Sequence, residues 1–405
     1  MTIDTMEPGQ NLQHLEVDDA KPILEHFRKT ISSMLEELTS VNRIYEQESN
    51  IMNGDSGYHA LGTPVLMRDG TVKLVEDIKV GDILMAPDSA AREVTKLYHG
   101  QDQMYRITPV KGESFIVNAN HILALTTTPR RKGRPRKITN VSVLDYFEKS
   151  KSPRWKQLHK LYRAGPIDFG NEKPLPINPY FLGIFLGDGG TGGGNSSPNI
   201  TTPDPEVVDA IYRQAKMLRL RVNVYQHPPG NKAKTYRFST GQRRKINPIT
   251  AILRALNLEC SCEEKHIPLI YKTASLQKRK HLLAGLIDSD GCRNSFNGYE
   301  YLSKSKKLAS DVAFVARSLG FAAYIKRKIV KGNPYWRVNI SGDTIQIPCK
   351  LKRKKSKIRR QIKSVLVTGF EVESLGIGPY YGFEIGHDHL YLMGDFTVAH
   401  GETRK

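Results

Sequence analysis

Two aspartates, Asp188 and Asp290, close apolar stretches that read almost alike: "YFLGIFLGDGG" at 180–190 and "HLLAGLIDSDGC" at 281–292. In register, 181–189 lies over 283–291, which pairs the two acids across 102 residues and marks an internal repeat of one unit. Each stretch reads as a buried helix, with small residues at Gly183 and Gly187 in the first copy and at Ala284 and Gly285 in the second. Small side chains let two helix backbones approach closely, so the acids emerge together at the foot of the pair. Carboxylates brought that close repel and need a cation between them. Oxygen-only ligands at such a site favour Mg2+. Asp288 is not equivalent to them: its register partner is Leu186, so it reads as a helix-terminal or packing residue. For either stretch alone the competing reading is a buried helix ended by an Asp cap. Two in register weigh against it.

The composition points the same way. The chain of 405 residues carries a formal charge of +20, unevenly placed. Residues 1–59 hold eleven acids against four bases, which leaves the remainder with an excess of about 27 positive charges. A body this basic predicts a polyanionic partner, because neutralising phosphates releases counterions. Of the four cysteines, Cys260 and Cys262 form a Cys-X-Cys pair, but no second pair or His cluster stands at zinc spacing. With neither an apolar leader nor a run of eighteen apolar residues, secretion and membrane insertion are disfavoured, and reduced thiols are expected.

The elements that must position the acids follow from periodicity. Apolar residues at helical spacing predict an amphipathic helix over 18–48, then a turn-rich linker. From 61 to 128 the pattern is short strands between turns, with the Asp-Gly hairpin signal in "MRDGTV". The basic segment "RRKGRPRK" follows at 130–137. Between 178 and 360 the pattern is mixed α/β, and the last forty residues return to strands. An all-β module split by an inserted α/β module is the expected architecture.

The paired motifs resemble those of the LAGLIDADG homing endonucleases of the monomeric, two-repeat type. The resemblance implies Mg2+-dependent hydrolysis of both strands of double-stranded DNA, with two or three ions and Mn2+ as a possible substitute. The implied metal set is Asp188 and Asp290 with the glycines that follow them, Gly189 and Gly291. "EEKHIP" at 263–268 is similar to the segment that carries the family's first active-site lysine, here Lys265. The second falls in "IPCKLKRKKSK", with Lys355 as the best register and Lys354 next. The implied β-ribbon contacts with DNA are Arg237, Arg243, Arg244, Arg293, Lys326, Arg327, Lys328 and Arg337. In "RRKGRPRK" the bases Arg130, Arg131, Arg134 and Arg136 flank a Gly-Arg-Pro core similar to an AT-hook; a nuclear-localisation patch and a solvated loop are the alternatives.

"LGTPVLMRDGTVKLVEDIKVGDILMAPD" resembles the opening of an intein, the Hint-fold splicing domain. "NANHILAL" is similar to its B block, with His121 at the histidine position and Asn118 where threonine is usual. "YYGFEIGHDHLYLMGDFTVAH" is similar to the closing blocks, with His389 and His400 at the two histidine positions. The nucleophiles are missing: Ala60 stands where splicing needs Cys or Ser, Gly401 where it needs Asn, and Glu402 where it needs a Cys, Ser or Thr acceptor. No splicing is therefore expected, whether by natural decay or by deliberate substitution.

Together these expectations describe a multidomain chain: an all-β Hint fold interrupted by an α/β LAGLIDADG endonuclease with two pseudo-symmetric repeats, preceded by a helical segment. The expected boundaries are 1–59 for the N-terminal helix and linker, 60–165 and 363–401 for the two Hint parts, 166–362 for the endonuclease and 402–405 for a tail. A monomer acting in the nucleus is expected, on DNA and not on a membrane. The rivals are a catalytically silent DNA-binding protein of the same fold and a trapped splicing precursor.

Overall fold

The computed structural model describes residues 57–127, 137–191, 197–242, 245–358 and 363–401. The helix expected over 18–48, Arg130, Arg131, Arg134, Arg136, Arg243, Arg244 and Glu402 lie outside the described residues. No helix among the described residues is long and apolar enough to cross a membrane.

Short strands bounded by glycine turns build the β module. Its N-terminal part holds β1 (Pro64–Leu66), β2 (Val72–Leu74), β3 (Ile83–Met85), β4 (Ala91–Pro109), β5 (Phe115–Asn118), β6 (Ile122–Thr127) and β7 (Ile138–Ser142), helices α1 (Val143–Lys149) and α2 (Pro153–Leu158), and β8 (His159–Tyr162). The β1–β2 turn places Gly70 at φ +84°, which only glycine adopts without strain. Strand β4 pairs antiparallel with β18 (Phe370–Ile385), from Phe370 opposite Pro109 to Ile385 opposite Val94. Residues 110–369 lie between the two strands in sequence, so the two ends of the β module meet in one sheet. The short strands β17 (Val367–Thr368), β19 (Leu390–Leu392) and β20 (Val398–His400) complete the module.

The α/β region is two copies of one unit. In the first, α3 (Pro179–Asp188) leads into β9 (Gly189–Gly190), β10 (Asn199–Thr202), α4 (Pro205–Met217), β11 (Arg221–Gln226), β12 (Lys234–Ser239) and α5 (Pro248–Ala255). After the single turn α6 (Leu269–Lys272), the second runs α7 (Leu276–Asp290), β13 (Gly291–Arg293), β14 (Tyr299–Ser303), α8 (Lys306–Ser318), β15 (Ala322–Val330) and β16 (Asn333–Ser341). The sheets have matching orders, β11-β12-β10-β9 and β15-β16-β14-β13. One apolar core runs through both copies, from Phe181 and Phe238 to Tyr301 and Val338.

Helices α3 and α7 meet in that core, backbone against backbone. Asn178 caps α3, its side-chain oxygen accepting from Tyr180 N (2.9 Å) and Phe181 N (3.3 Å), with Pro179 at the first helical position. A Cβ on Gly183 would overlap the Leu282 carbonyl oxygen and sit 2.7 Å from Leu286 N, and one on Gly285 would overlap the Tyr180 carbonyl oxygen. Gly187 faces Ser289, where a Cβ would overlap the serine Oγ. Both helices end at an aspartate, and the next glycine turns directly into a strand, so Asp188 and Asp290 occupy equivalent corners.

The two modules share packing as well as chain. Phe169 and Phe314 stack with centroids 6.0 Å apart, and Phe314 meets Phe396 edge-on at 5.1 Å. Arg279, fully buried on α7, donates to the carbonyls of Ala274 (2.7 Å), Ser318 (3.0 Å) and Ile167, tying the connecting segment to the core.

Alanine in place of glycine within a helix ordinarily stabilises it by about 0.5–1 kcal/mol. At Gly183 and Gly285 the sign reverses: Gly183→Ala and Gly285→Ala each destabilise by about 1–3 kcal/mol, because the obstructing atoms are backbone. Thermal unfolding checks this, with Gly165→Ala as the control, since a Cβ there meets nothing within 4 Å.

Candidate active site and nucleic-acid face

Asp188 and Asp290, at the foot of the helix pair, are both solvent-exposed residues. Partial burial, and then the neighbouring Asp290 charge, push Asp188 up to about 6. Burial likewise raises Asp290, against the pull of the Lys265 and Lys354 ammonium groups. The two ammonium groups offset the raising of the carboxylates only in part, and the ligand atoms the acid pair offers are all oxygen. That combination fits a hard divalent cation. Among the described residues no group of three or more His, Cys, Asp or Glu side chains is disposed to hold a metal, so the acid pair would need further oxygens from backbone or substrate.

A lysine closes each helix end. Lys265 Nζ donates to Leu186 O (2.9 Å) and Gly189 O (3.0 Å) at the end of α3. Lys354 Nζ donates to Ile287 O (2.9 Å), Asp288 O (2.7 Å) and Ser289 O (2.7 Å) at the end of α7. Free carbonyls at a helix C-terminus carry partial negative charge, which explains why both ammonium groups settle there. Burial lowers both lysines from their ordinary value. The expectation of Lys355 is corrected here: Lys355 is exposed, and its neighbour Lys354 is the one turned back onto α7. The turn that begins at Leu351, whose carbonyl accepts from both Lys354 N (2.9 Å) and Lys355 N (3.1 Å), decides which side chain points inward. The Gly189 carbonyl is engaged by Lys265, and Gly291 gives its N–H to Ile287 O.

The register of the sheets sorts the basic candidates. Directly paired residues in an antiparallel ladder project to the same face. In the first sheet Tyr236 and Phe238 are buried against the helices, so Arg237 lies on the open face with Asn199, Asn223, Thr201 and Thr235. The Arg237 guanidinium stacks 4.8 Å over Tyr225 on that face. In the second sheet Tyr299, Tyr301, Val338 and Ile340 face the core, which places Arg337, Lys326, Lys328 and Asn339 on the open face. Two expected contacts fall elsewhere. Arg327 pairs with Trp336, and Arg293 pairs with Tyr299, so both project to the helix side. Strand parity is the reason, and one of the guanidinium donors of Arg293 goes to Asn297 Oδ1 (2.7 Å).

The β module holds a second polar centre. His121 and His400 are buried, and His389 stacks on His400 at 5.7 Å. Gly401 N donates to His389 O (2.6 Å), and its carbonyl bonds the His400 ring. Ala60 N donates to Ile116 O (2.9 Å), and Asn118 accepts from Tyr58 N (2.7 Å) while donating to Asp102 (2.9 Å). A histidine passed over in the sequence joins this centre. His59 is buried, bonded to the Tyr391 hydroxyl, and its ring lies 4.6 Å from that of His121.

Residues 59–163 match the family model of the Hint domain associated with homing endonucleases, and residues 277–347 match that of the LAGLIDADG-like domain. The chain is 26% identical over 291 residues to the replicative DNA helicase DnaB of Mycobacterium intracellulare, spanning 67% of this chain and 44% of that protein. It is 38% identical over 110 residues to the V-type proton ATPase catalytic subunit of Candida tropicalis, spanning 24% of this chain and 10% of that protein. The chain thus covers less than half the length of these curated relatives. Among solved structures, the homing endonuclease I-DmoI in complex with DNA and Mn aligns at 18% identity and TM-score 0.30, over 41% of this chain and 89% of that one.

The buried histidines give this centre a pH signature. Burial pushes His59 down to about 3, and burial followed by the charges of His59 and His400 pushes His121 well below its ordinary 6.5. The unfolded chain therefore binds more protons than the folded one below about 6.5, so stability falls as the pH drops from there towards about 3. Chemical denaturation at pH 7.5 and pH 5.0 will show lower stability at the acid pH, and His59→Gln will reduce the difference.

Proposed function

We propose that this chain, which belongs to the intein-type LAGLIDADG homing endonucleases, is a site-specific endonuclease that hydrolyses both strands of double-stranded DNA. The observation that carries this reading is the pair Asp188 and Asp290, delivered by two helices in backbone contact, each with a lysine at its last carbonyls. In this reading the α/β unit interrupts an all-β Hint scaffold, and its two repeats supply both half-sites, so a monomer suffices. The nucleus, where double-stranded DNA is found, is its proposed place of action.

Asp188 and Asp290, with the backbone oxygen of Gly291, would hold two or three Mg2+ ions, with Mn2+ as a substitute, and the Gly189 oxygen would join them only where Lys265 releases it. Bound there, such ions supply a lowered pKa for water and neutralise charge on the phosphate and leaving oxygen. Lys265 and Lys354 stand beside the acids, where an ammonium group stabilises charge developing on a scissile phosphate. The open faces of the two sheets grip the duplex on either side. Arg237, Arg337, Lys326 and Lys328 contribute charge, and Asn199, Asn223 and Asn339 can read base edges.

The Hint scaffold does not splice in this reading. Ala60 has no nucleophile, Gly401 has no side-chain amide to cyclise, and Glu402 is a poor acyl acceptor. Of its histidines, His59, His121 and His400 remain as packed groups whose burial disfavours the protonated form. Expression of the full chain will give one intact band on a denaturing gel; a fragment beginning at Ala60 would refute the loss of splicing.

Cleavage selection from a randomised DNA library in Mg2+ tests the endonuclease. A single long target will be recovered, and Asp188→Asn and Asp290→Asn will each lower the cutting rate by at least about 100-fold while DNA binding persists. Variants that cut as fast as the parent would sink the assignment.

A further inference from the structure

The hairpin that leaves the second acid corner carries an aromatic ring at its tip. After β13 the chain turns through Ser295, Phe296 and Asn297 and returns as β14. Asn294 N donates to Gly298 O (2.9 Å) and Asn297 N to Asn294 O (3.2 Å), while Asn297 sits at φ +57°. A tight turn followed by a left-handed residue is a common short connection between antiparallel strands. Side chains then lock it. Asn294 Oδ1 accepts from Phe296 N (3.0 Å) and Gly298 N (2.9 Å). Asn297 Oδ1 accepts from Arg293 (2.7 Å), and its carbonyl accepts from Thr344 Oγ1 and from Ser356 Oγ (2.9 Å). At the crest of this braced turn stands Phe296, 72% exposed.

A single exposed apolar residue is ordinary on a protein surface. Three features set Phe296 apart. Its backbone is fixed, so a contact made by the ring costs little further ordering. The tip of β15–β16 presents Lys331 and Gly332 instead, and the stretch at the same place in the first repeat, 191–198, holds only Thr, Gly, Asn, Ser and Pro. Phe296 also lies near the acid corner, because the six residues from Asp290 span at most about 20 Å of strand. At about 3.4 Å per base pair, that reach covers about six base pairs.

A benzyl ring has no hydrogen bond to give a phosphate. A duplex offers it two apolar targets, the C5 methyl of thymine in the major groove or a gap between unstacked base pairs. Wedging side chains enter from the minor groove, whereas a two-stranded β-ribbon fits the major groove. The alternation that turns Arg293 and Tyr299 to the helix side returns the chain to the open side at Asn294. The tip therefore rises from the face that carries Lys326, Lys328 and Arg337.

We infer that Phe296 is a specificity-determining residue that reads a pyrimidine C5 methyl group, that of a thymine within about six base pairs of the cut. This rests on the endonuclease reading above and deepens it.

The test measures binding and cleavage by the full chain on the target recovered by selection. Each thymine near the cut is replaced in turn by deoxyuridine, which removes only the methyl. At one position the parent will lose about fourfold in affinity, the size of one buried methyl group. In Phe296→Ala that loss will vanish, while other thymines keep their effects, and Phe296→Leu will retain part of it. Cytosine and 5-methylcytosine at the same position will differ by a similar factor for the parent and not for Phe296→Ala, which separates the methyl from thymine O4. Tighter binding of 5-methylcytosine than of thymine would overturn the thymine assignment in favour of methylated DNA. Because the Phe296 ring is exposed, its variants will unfold at the parent's temperature. A Phe296→Ala variant that binds every target as the parent does would overturn the inference. So would one that weakens thymine and uracil targets equally, as loss of a wedge between base pairs would. A parent that cuts with no methyl dependence sinks this assignment alone, whereas a parent that neither binds nor cuts duplex DNA sinks the endonuclease reading with it.

Discussion

Contact between the backbones of two helices sets the rest of this structure. At Gly183 and Gly285 each helix touches the carbonyls of the other, with no room for a side chain. Helices packed through ordinary apolar side chains keep their axes about 8–10 Å apart, and removing the side chains draws the axes together. The ends of α3 and α7 are then forced together, and burial first, then the Asp290 charge, raises Asp188. Each sheet is launched from its helix by the glycine after the acid. The same contact thus sets the separation of the acids and the relation between the two open faces.

The close approach creates an electrostatic problem that the chain solves only in part. Two helix C-termini and two carboxylates concentrate negative charge at one corner. Lys265 and Lys354 bind the exposed carbonyls, but they leave both aspartates above their ordinary pKa. A corner built this way favours a proton or a further cation on its carboxylates. Attachment to the β module follows a different physics. Arg163, almost fully buried, pairs with Asp395 (3.0 Å) inside the β module and donates to Tyr324 OH (3.1 Å) of the α/β module, so that hydrogen bond crosses the junction. Burial pulls Arg279 down to about 10 even so, because carbonyl partners replace water without adding charge. Breaking either cluster strands a buried guanidinium, so the junction behaves as core and not as a linker.

What could be read in the sequence was what repeats or alternates. The doubled motif gave the helix pair, its glycines and the paired acids, and the strand patterns gave the split β module. Lys265 was legible because one lysine stands in "EEKHIP". Lys354 was confused with Lys355 because "KRKK" offers adjacent candidates, and a single turn about Leu351 chooses between them. Arg293 and Arg327 were grouped with the DNA-facing bases because charge is visible in a sequence but strand parity is not, until a paired residue such as Tyr299 or Trp336 fixes the face. His59 escaped notice because it precedes the stretch that resembles a splicing domain. Only the fold brings it to His121 and Tyr391.

The repeats also show what a single chain gains over two identical ones. Identical protomers must present identical faces and identical catalytic corners. Here the first face offers Asn199, Asn223, Thr201 and an Arg237 braced on Tyr225, whereas the second offers Lys326, Lys328 and an Arg337 that meets Glu300 at 3.7 Å. Donor and acceptor patterns this different cannot read the same base sequence twice. On the proposed endonuclease reading such a chain would take two unlike half-sites, and nothing would then require its two acid corners to stay alike. The divergence of Leu186 and Asp288 at one register position accompanies the divergence between the faces. Both follow from joining the repeats in one chain, which releases each copy from matching the other while the glycine contact still holds the acids in register.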